Sequence, residues 1–330
     1  MDPFLFPCFA LPLGYLGALL AMSHAATSLL NRGHVHSAIR LFRLGVRLNL
    51  DRGQQLLCRS NLMASYHAIE DYASVEEEWR FIRPRLPEMV PFAGLATACY
   101  CATLVCQGRY REAVELSQQP EAMLPEKYAG HAVAELCDSL RLTNLGAALS
   151  LLGELEGASE CIQRACSKGS PNSVLKEHLQ LVRGRLLYLQ GLTEDAAGTL
   201  RAVNSSKIPP LYVEELELNR AKLLARCGKP EEAERLLDVV GCLDTNRLRL
   251  LRLEALAAIS EQRNDVERAL HLYAQLLPSG LPAGETFLRA GNLARNRGDL
   301  ALAGEFFQAV LACDPESVWA TIARKRVFSS

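Results

Sequence analysis

The sequence predicts an all-α fold, a right-handed superhelical α-solenoid of about eight helix-turn-helix repeats closed by a C-terminal capping helix, and three observations predict it. A glycine followed five residues later by an alanine recurs along the chain. A small residue stands seven positions before each of these turns. Leu and Ala, rather than β-formers, carry the apolar load: hydrophobic residues make up 49% and aromatics only 6%. Stacked helices need that balance, because small residues let backbones approach and Leu fills the gaps. A sheet protein would draw on Val, Ile, Tyr and Phe.

The frame is read at Gly33/Ala38, Gly108/Ala113, Gly153/Ala158, Gly191/Ala196, Gly228/Ala233 and Gly298/Ala303. Asn264/Ala269 fits with Asn for Gly, both residues tolerating positive φ. Asp71 with Glu76 is a degenerate copy. Successive turns at 33, 71, 108, 153, 191, 228, 264 and 298 are spaced by 38, 37, 45, 38, 37, 36 and 34 residues. Seven before them stand Ala26, Ala64, Cys101, Gly146, Gly184, Ala221, Ala257 and Gly291, a slot expected to face the alanine of the second helix. Nine past the turn stand Phe42, Ile162, Leu200, Leu237, Tyr273 and Phe307, while Arg80 and Ser117 break the rule.

Helix-end signals agree. Asp299 and Thr193 suit N-caps, Ser74 with Glu77 reads as a capping box, and Pro230-Glu231-Glu232 suits a first turn. Breaks fall at 84–91, 118–125, 168–173, 204–210 and 278–284. The 45-residue spacing implies a long first helix near 126–152, and 316–326 reads as a short terminal helix. The organisation is an apolar strip at 1–12, the repeat array at 13–313 and a capping helix and tail at 314–330.

This constellation resembles the tetratricopeptide repeat (TPR), over nearly the whole chain. The copy from Phe287 to Pro315, with Gly291, Gly298, Ala303, Phe307 and Asp314-Pro315, carries the likeness best. The resemblance implies a non-catalytic adaptor or scaffold that holds a partner peptide, helix or subunit in a groove lined by each first helix. It implies protein partners within a multi-subunit complex, and no small-molecule substrate. In the relatives that clamp a chaperone's C-terminal carboxylate, a lysine stands where Leu288 is here, so only Gly291-Asn292 matches that motif.

If the slot faces the partner helix, residues 13, 10, 6 and 3 before each turn face the groove. Its N-terminal half then contains Leu95, Ala98, Ala102, Val105, Thr143 and Ala147, none charged. Its C-terminal half contains His178, Arg185, Tyr188, Glu215, Lys222, Glu254, Glu261, Glu285, Asn292 and Arg295. An apolar segment would dock in the first half while polar contacts set register in the second. The alternative is that the apolar positions are core.

Residues 3–31 carry no formal charge, and 4–22 are apolar over a length that could span a membrane. A buried first helix at 13–30 with a capping strip, a membrane tether through 4–22, and a signal segment are all open; the lack of a basic n-region argues against the last. Eleven cysteines, odd in number and without CxxC spacing, read as reduced core residues of a cytoplasmic protein. Arg40, Arg43 and Arg47 form a basic stripe on one helix, read as a solvated face or as a contact for an acidic partner or lipid headgroups. His34 and His36 lack the partners of a metal site.

No phosphate loop, dinucleotide fingerprint, zinc-protease motif or nucleophile elbow is present, so no enzyme, cofactor or metal is expected. A helical-repeat RNA binder is the rival of a different class. Variable spacing and a net charge of −1 speak against it, and no nucleic-acid partner is expected.

Overall fold

Eight of the nine described residues with positive φ in the computed structural model each separate the two helices of a pair: Gly33, Glu70, Gly108, Gly153, Gly191, Gly228, Asn264 and Gly298, the ninth being Gly280. The structure describes residues 19–49, 51–89, 93–119, 132–168, 173–241, 245–280 and 282–327. At every turn the residue after the left-handed one donates its N–H back to a carbonyl five residues earlier, as His34 does to Leu29, Asp71 to Tyr66 and Asp299 to Ala294. This bond satisfies a carbonyl that the helix end leaves open, and the left-handed residue makes it reachable.

The helix pairs are α1 (described over 19–31) with α2 (Val35–Leu48), α3 (Arg52–Ala68) with α4 (Tyr72–Ile82), and α5 (Ala93–Cys106) with α6 (Tyr110–Gln118). Next come α7 (Ala132–Leu152) with α8 (Leu155–Ser167), α9 (Ser173–Leu189) with α10 (Thr193–Arg201), and α11 (Pro210–Arg226) with α12 (Pro230–Val239). The last are α13 (Asn246–Gln262) with α14 (Val266–Ala274) and α15 (Gly284–Asn296) with α16 (Leu300–Cys313), followed by α17 (Val318–Val327). The described residues form no strand, and consecutive helices pack on one another in chain order. Residues 1–18, which hold most of the apolar N-terminal stretch, and the start of the 126–152 segment lie outside the described residues. No helix among the described residues is long and apolar enough to cross a membrane.

The second pair corrects the frame. Its turn is Glu70, φ +63°, and Asp71 is the N-cap of α4, its carboxylate accepting from Ser74 N at 3.2 Å. The frame therefore moves back by one: Met63, Val75 and Trp79 replace Ala64, Glu76 and Arg80, and all three are buried. Trp79 then fills the large position and stacks on Tyr100, ring centroids 4.5 Å apart. Ser74 is thus not a cap. Nor is Thr193, which is the first residue inside its helix. Asp299 caps as expected, through Leu302 N at 3.0 Å. The proline-rich stretch after α4 is a short 3-10 helix, Arg83–Met89, rather than an open break.

The small slot also faces something other than expected. A Cβ placed on Gly146 would lie 2.7 Å from Ile162 Cδ1, and one on Gly184 would lie 2.8 Å from Leu200 Cδ2. The slot thus receives the large residue nine past the turn, with the alanine backbone beside it. In the third pair the sizes are shared out differently: Cys101 Sγ meets Ser117 Oγ at 3.2 Å. The apolar interior runs as four hydrophobic clusters that succeed one another along the chain.

The succession of pairs returns on itself. Glu70 accepts from the backbone N–H of Arg247 at the start of α13, and Glu316 accepts from Arg111 N at 2.9 Å. A Cβ on Gly108 would touch Pro282, and one on Gly153 would clash with Val318. The second, third and fourth turns therefore rest against α13, the approach to α15, and α17. Each meets an element about five pairs further on.

Candidate functional site

Because the chain returns on itself, the first helices of distant pairs share an interior, and that interior is polar. Toward its C-terminal end a connected chain of contacts links three helices. Lys222 on α11 pairs with Glu254 on α13 at 2.9 Å, and the second Glu254 oxygen accepts from Thr286 Oγ1 on α15 at 2.5 Å. Thr286 in turn accepts from Arg226 at 2.8 Å, and Arg226 pairs with Glu285 at 2.6 Å. Beside it, Arg289 forks onto Glu261 at 2.6 and 3.2 Å and reaches the Tyr188 hydroxyl on α9 at 3.2 Å.

Burial raises the pKa of Glu254 and Glu285, but the neighbouring cations outweigh it and hold both below the usual carboxylate range. Burial pulls Lys222 down, with Glu254 opposing. Such pairs are tolerated inside only because each charge meets its opposite in good geometry. Arg185 Nε and Arg226 Nε are buried with no hydrogen-bond partner in the protein, so the network retains two unused donors.

Nearer the N-terminal end, Glu215 on α11 pairs with the guanidinium of Arg247, and His67 Nδ1 lies 2.9 Å from Thr103 Oγ1. Burial, reinforced by Arg247, brings the His67 imidazole down to about 4 from 6.5. Burial raises the Cys99 thiol to about 12, so no reactive thiolate arises there. Yet this end is open to water. Tyr212 is 36% exposed, the Glu215 side chain keeps 39% of its surface, and His178 is exposed. Tyr212 and Glu215 are three apart on α11 and therefore share a face.

Of the sequence-predicted groove residues, Ala98, Thr143 and Glu254 are buried. Leu95, Ala102, Val105, Ala147, Arg185, Tyr188, Lys222 and Asn292 are half-buried, and Arg295 is exposed. Val105 and Ala147 pack against hydrophobic clusters, and the Ala98 carbonyl accepts from Asn144 at 2.8 Å. Asn292 accepts from Arg326 on α17, which covers it. The polar C-terminal positions are brought together; the apolar N-terminal ones are largely inside the packing.

Sequence reading missed Arg226, Thr286 and Arg289 in the network, and Tyr212 and Arg247 at the open end. Arg289 stands four after Glu285 and three before Asn292, and Arg226 stands four after Lys222. Extending the groove stripe by its i+4 neighbours would have found Arg226 and Arg289.

The structural repeat positions fall where the frame needs them. Gly33, Gly108, Gly153, Gly191, Gly228 and Gly298 take positive φ, and Ala113, Ala158, Ala196, Ala233, Ala269 and Ala303 are buried. No disulfide joins the described cysteines, and no cluster of three metal-ligating side chains occurs among the described residues. Compared with protein-family models and with curated proteins, the chain matches none.

Proposed function

We propose that this chain is a non-catalytic scaffold of the tetratricopeptide type, eight helical repeats wound into a superhelix of about five repeats per turn, which holds a protein partner through its first-helix face. One observation carries the reading: the same left-handed turn with the same back-donated hydrogen bond recurs eight times, each followed five residues on by a buried alanine or, once, by the buried Val75. A unit repeated in this way cannot bury its own apolar face, so stacking produces a long surface of first helices rather than a pocket. The Tyr212–Glu215–His178 opening gives that surface its polar grip.

A protein partner fits this interior better than RNA. Lys222, Arg226, Arg247 and Arg289 are each already paired with a carboxylate, so a phosphate backbone would meet an acid at each of these four cations. Affinity purification of the tagged full chain followed by mass spectrometry tests the reading. Recovery of at least one protein in near-stoichiometric amount supports it; recovery of RNA alone, or of nothing beyond a tag control, counts against it.

A further inference from the structure

The outward side of the first helix pair combines basic and exposed apolar residues. Between Asp2 and Asp51 the chain holds no acidic residue, while Arg32, Arg40, Arg43 and Arg47 are all basic. Helix α2 buries Val35, Ala38, Ile39, Phe42 and Gly45 against α1 and α3, which turns Arg40, Arg43, Leu44, Arg47 and Leu48 outward. At about 100° per residue, Leu44 and Leu48 lie beside the Arg40–Arg47 row, so apolar and basic strips run side by side along one helix.

Leu44 is 43% exposed and Leu48 41%. On α1, Leu20 is 49% exposed. The tight turn at Gly33 brings the start of α1 beside the end of α2, where Met22 Cε lies within 3.4 Å of a Cβ built on Gly45. Leu44 and Leu48 lie at this end of the pair, whereas Leu20, about 200° around α1 from Met22, points away from α2. Arg43 is held by Tyr66, its Nε donating to the hydroxyl at 2.8 Å. Arg40 and Arg47 enter no ion pair with a described residue. The next acid after Asp2 in the chain, Asp51, is engaged as the N-cap of α3.

We infer that this end of the array docks on an anionic lipid surface, with Arg40 and Arg47 on the headgroup phosphates and Leu44 and Leu48 at the headgroup–acyl boundary. A second copy of the same end would set like charges against each other. A flat anionic surface accepts a basic strip and a parallel leucine strip together, and a helix lying in the interface presents them in that way. The docking is peripheral and electrostatic, and it is independent of the protein-scaffold reading.

The test is co-sedimentation of the full chain with phosphatidylcholine vesicles made with and without phosphatidylserine. Binding is expected only with phosphatidylserine, weakening with added salt as the screening length falls from about 8 Å toward 3 Å. Arg40→Ala and Arg47→Ala are each expected to weaken it about fivefold, since a basic residue near such a surface contributes about 1 kcal/mol. Leu44→Ser with Leu48→Ser should weaken it further, and a thermal melt of each variant checks that the solvent-facing changes leave the fold intact. Three results overturn the inference. One is the absence of binding to either vesicle. Another is binding that ignores salt and the arginine variants, which would mean partition of the uncharged N-terminal sequence. The last is loss of an acidic protein from the Arg40/Arg47 variant's purification with no vesicle binding by the wild type.

Discussion

The carboxylate of Glu70 accepts a hydrogen bond at 3.0 Å from the backbone N–H of Arg247, 177 residues further along the chain. Glu70 occupies a left-handed turn, and Arg247 stands in the first turn of α13, whose exposed N–H groups attract negative charge. The Arg247 side chain pairs with Glu215, so a single residue ties the seam between distant pairs to the open end of the interior.

Removing the seam carboxylates should loosen the molecule without dismantling its helices. Glu70→Ala combined with Glu316→Ala is expected to raise the radius of gyration in small-angle scattering, with a stability loss of about 1–3 kcal/mol per bond because each has a charged acceptor. The matching glutamine pair keeps an acceptor at both places and should stay close to wild type. Identical scattering from both variants would show that the seam does not hold the coils together.

Two glycines should fail for different reasons. Gly228 has φ +76° and open space around it, so Gly228→Ala should cost about 1–2 kcal/mol from backbone conformation alone. At Gly184 a Cβ would meet Leu200 at 2.8 Å, so Gly184→Ala should cost about 1–3 kcal/mol by overpacking. Adding Leu200→Val should recover some of the loss at Gly184 and none at Gly228. Urea denaturation of the four variants separates the cases, and equal rescue at both sites would contradict the packing assigned to the slot.

Stability should fall on mild acidification. His67 titrates near 4 in the folded chain and near 6.5 when unfolded. The unfolded chain therefore takes up the proton first, so this contribution is complete above pH 6.5 and is lost progressively down to about pH 4. Glu215, Glu254 and Glu285 are depressed carboxylates, whose contributions are present above their unfolded value and disappear only at still lower pH. Thermal melts of His67→Gln across that range should show a flatter pH dependence than wild type. An unchanged slope would mean that His67 is not the group responsible.

The sequence made the turns legible because a left-handed residue between helices is nearly always glycine, and six of the eight are. The second was misplaced by one residue for the same reason: Glu70 bears the conformational cost without the glycine that marks it. The small slot was legible as a pattern, while its true neighbour was not, since Ile162, Leu200 and Phe307 are recognised as its occupants only once the helices are crossed. The Glu70–Arg247 and Glu316–Arg111 bonds have no local signature at all. They join residues 177 and 205 positions apart, which no window of sequence contains. The same long-range contacts accompany a change from the expected open groove to an interior where Ala98 and Thr143 are buried while Tyr212 and Glu215 face water.

The most direct test of the scaffold reading compares partner recovery by wild type and a Tyr212→Ala, Glu215→Lys variant in parallel quantitative affinity purifications, with a melt to confirm folding. Wild type should retain a defined protein partner, and the variant should lose at least tenfold of it, as loss of a hot-spot pair costing about 1.4 kcal/mol or more requires. Equal recovery of the same proteins by both folded chains would contradict a partner site on the first-helix face.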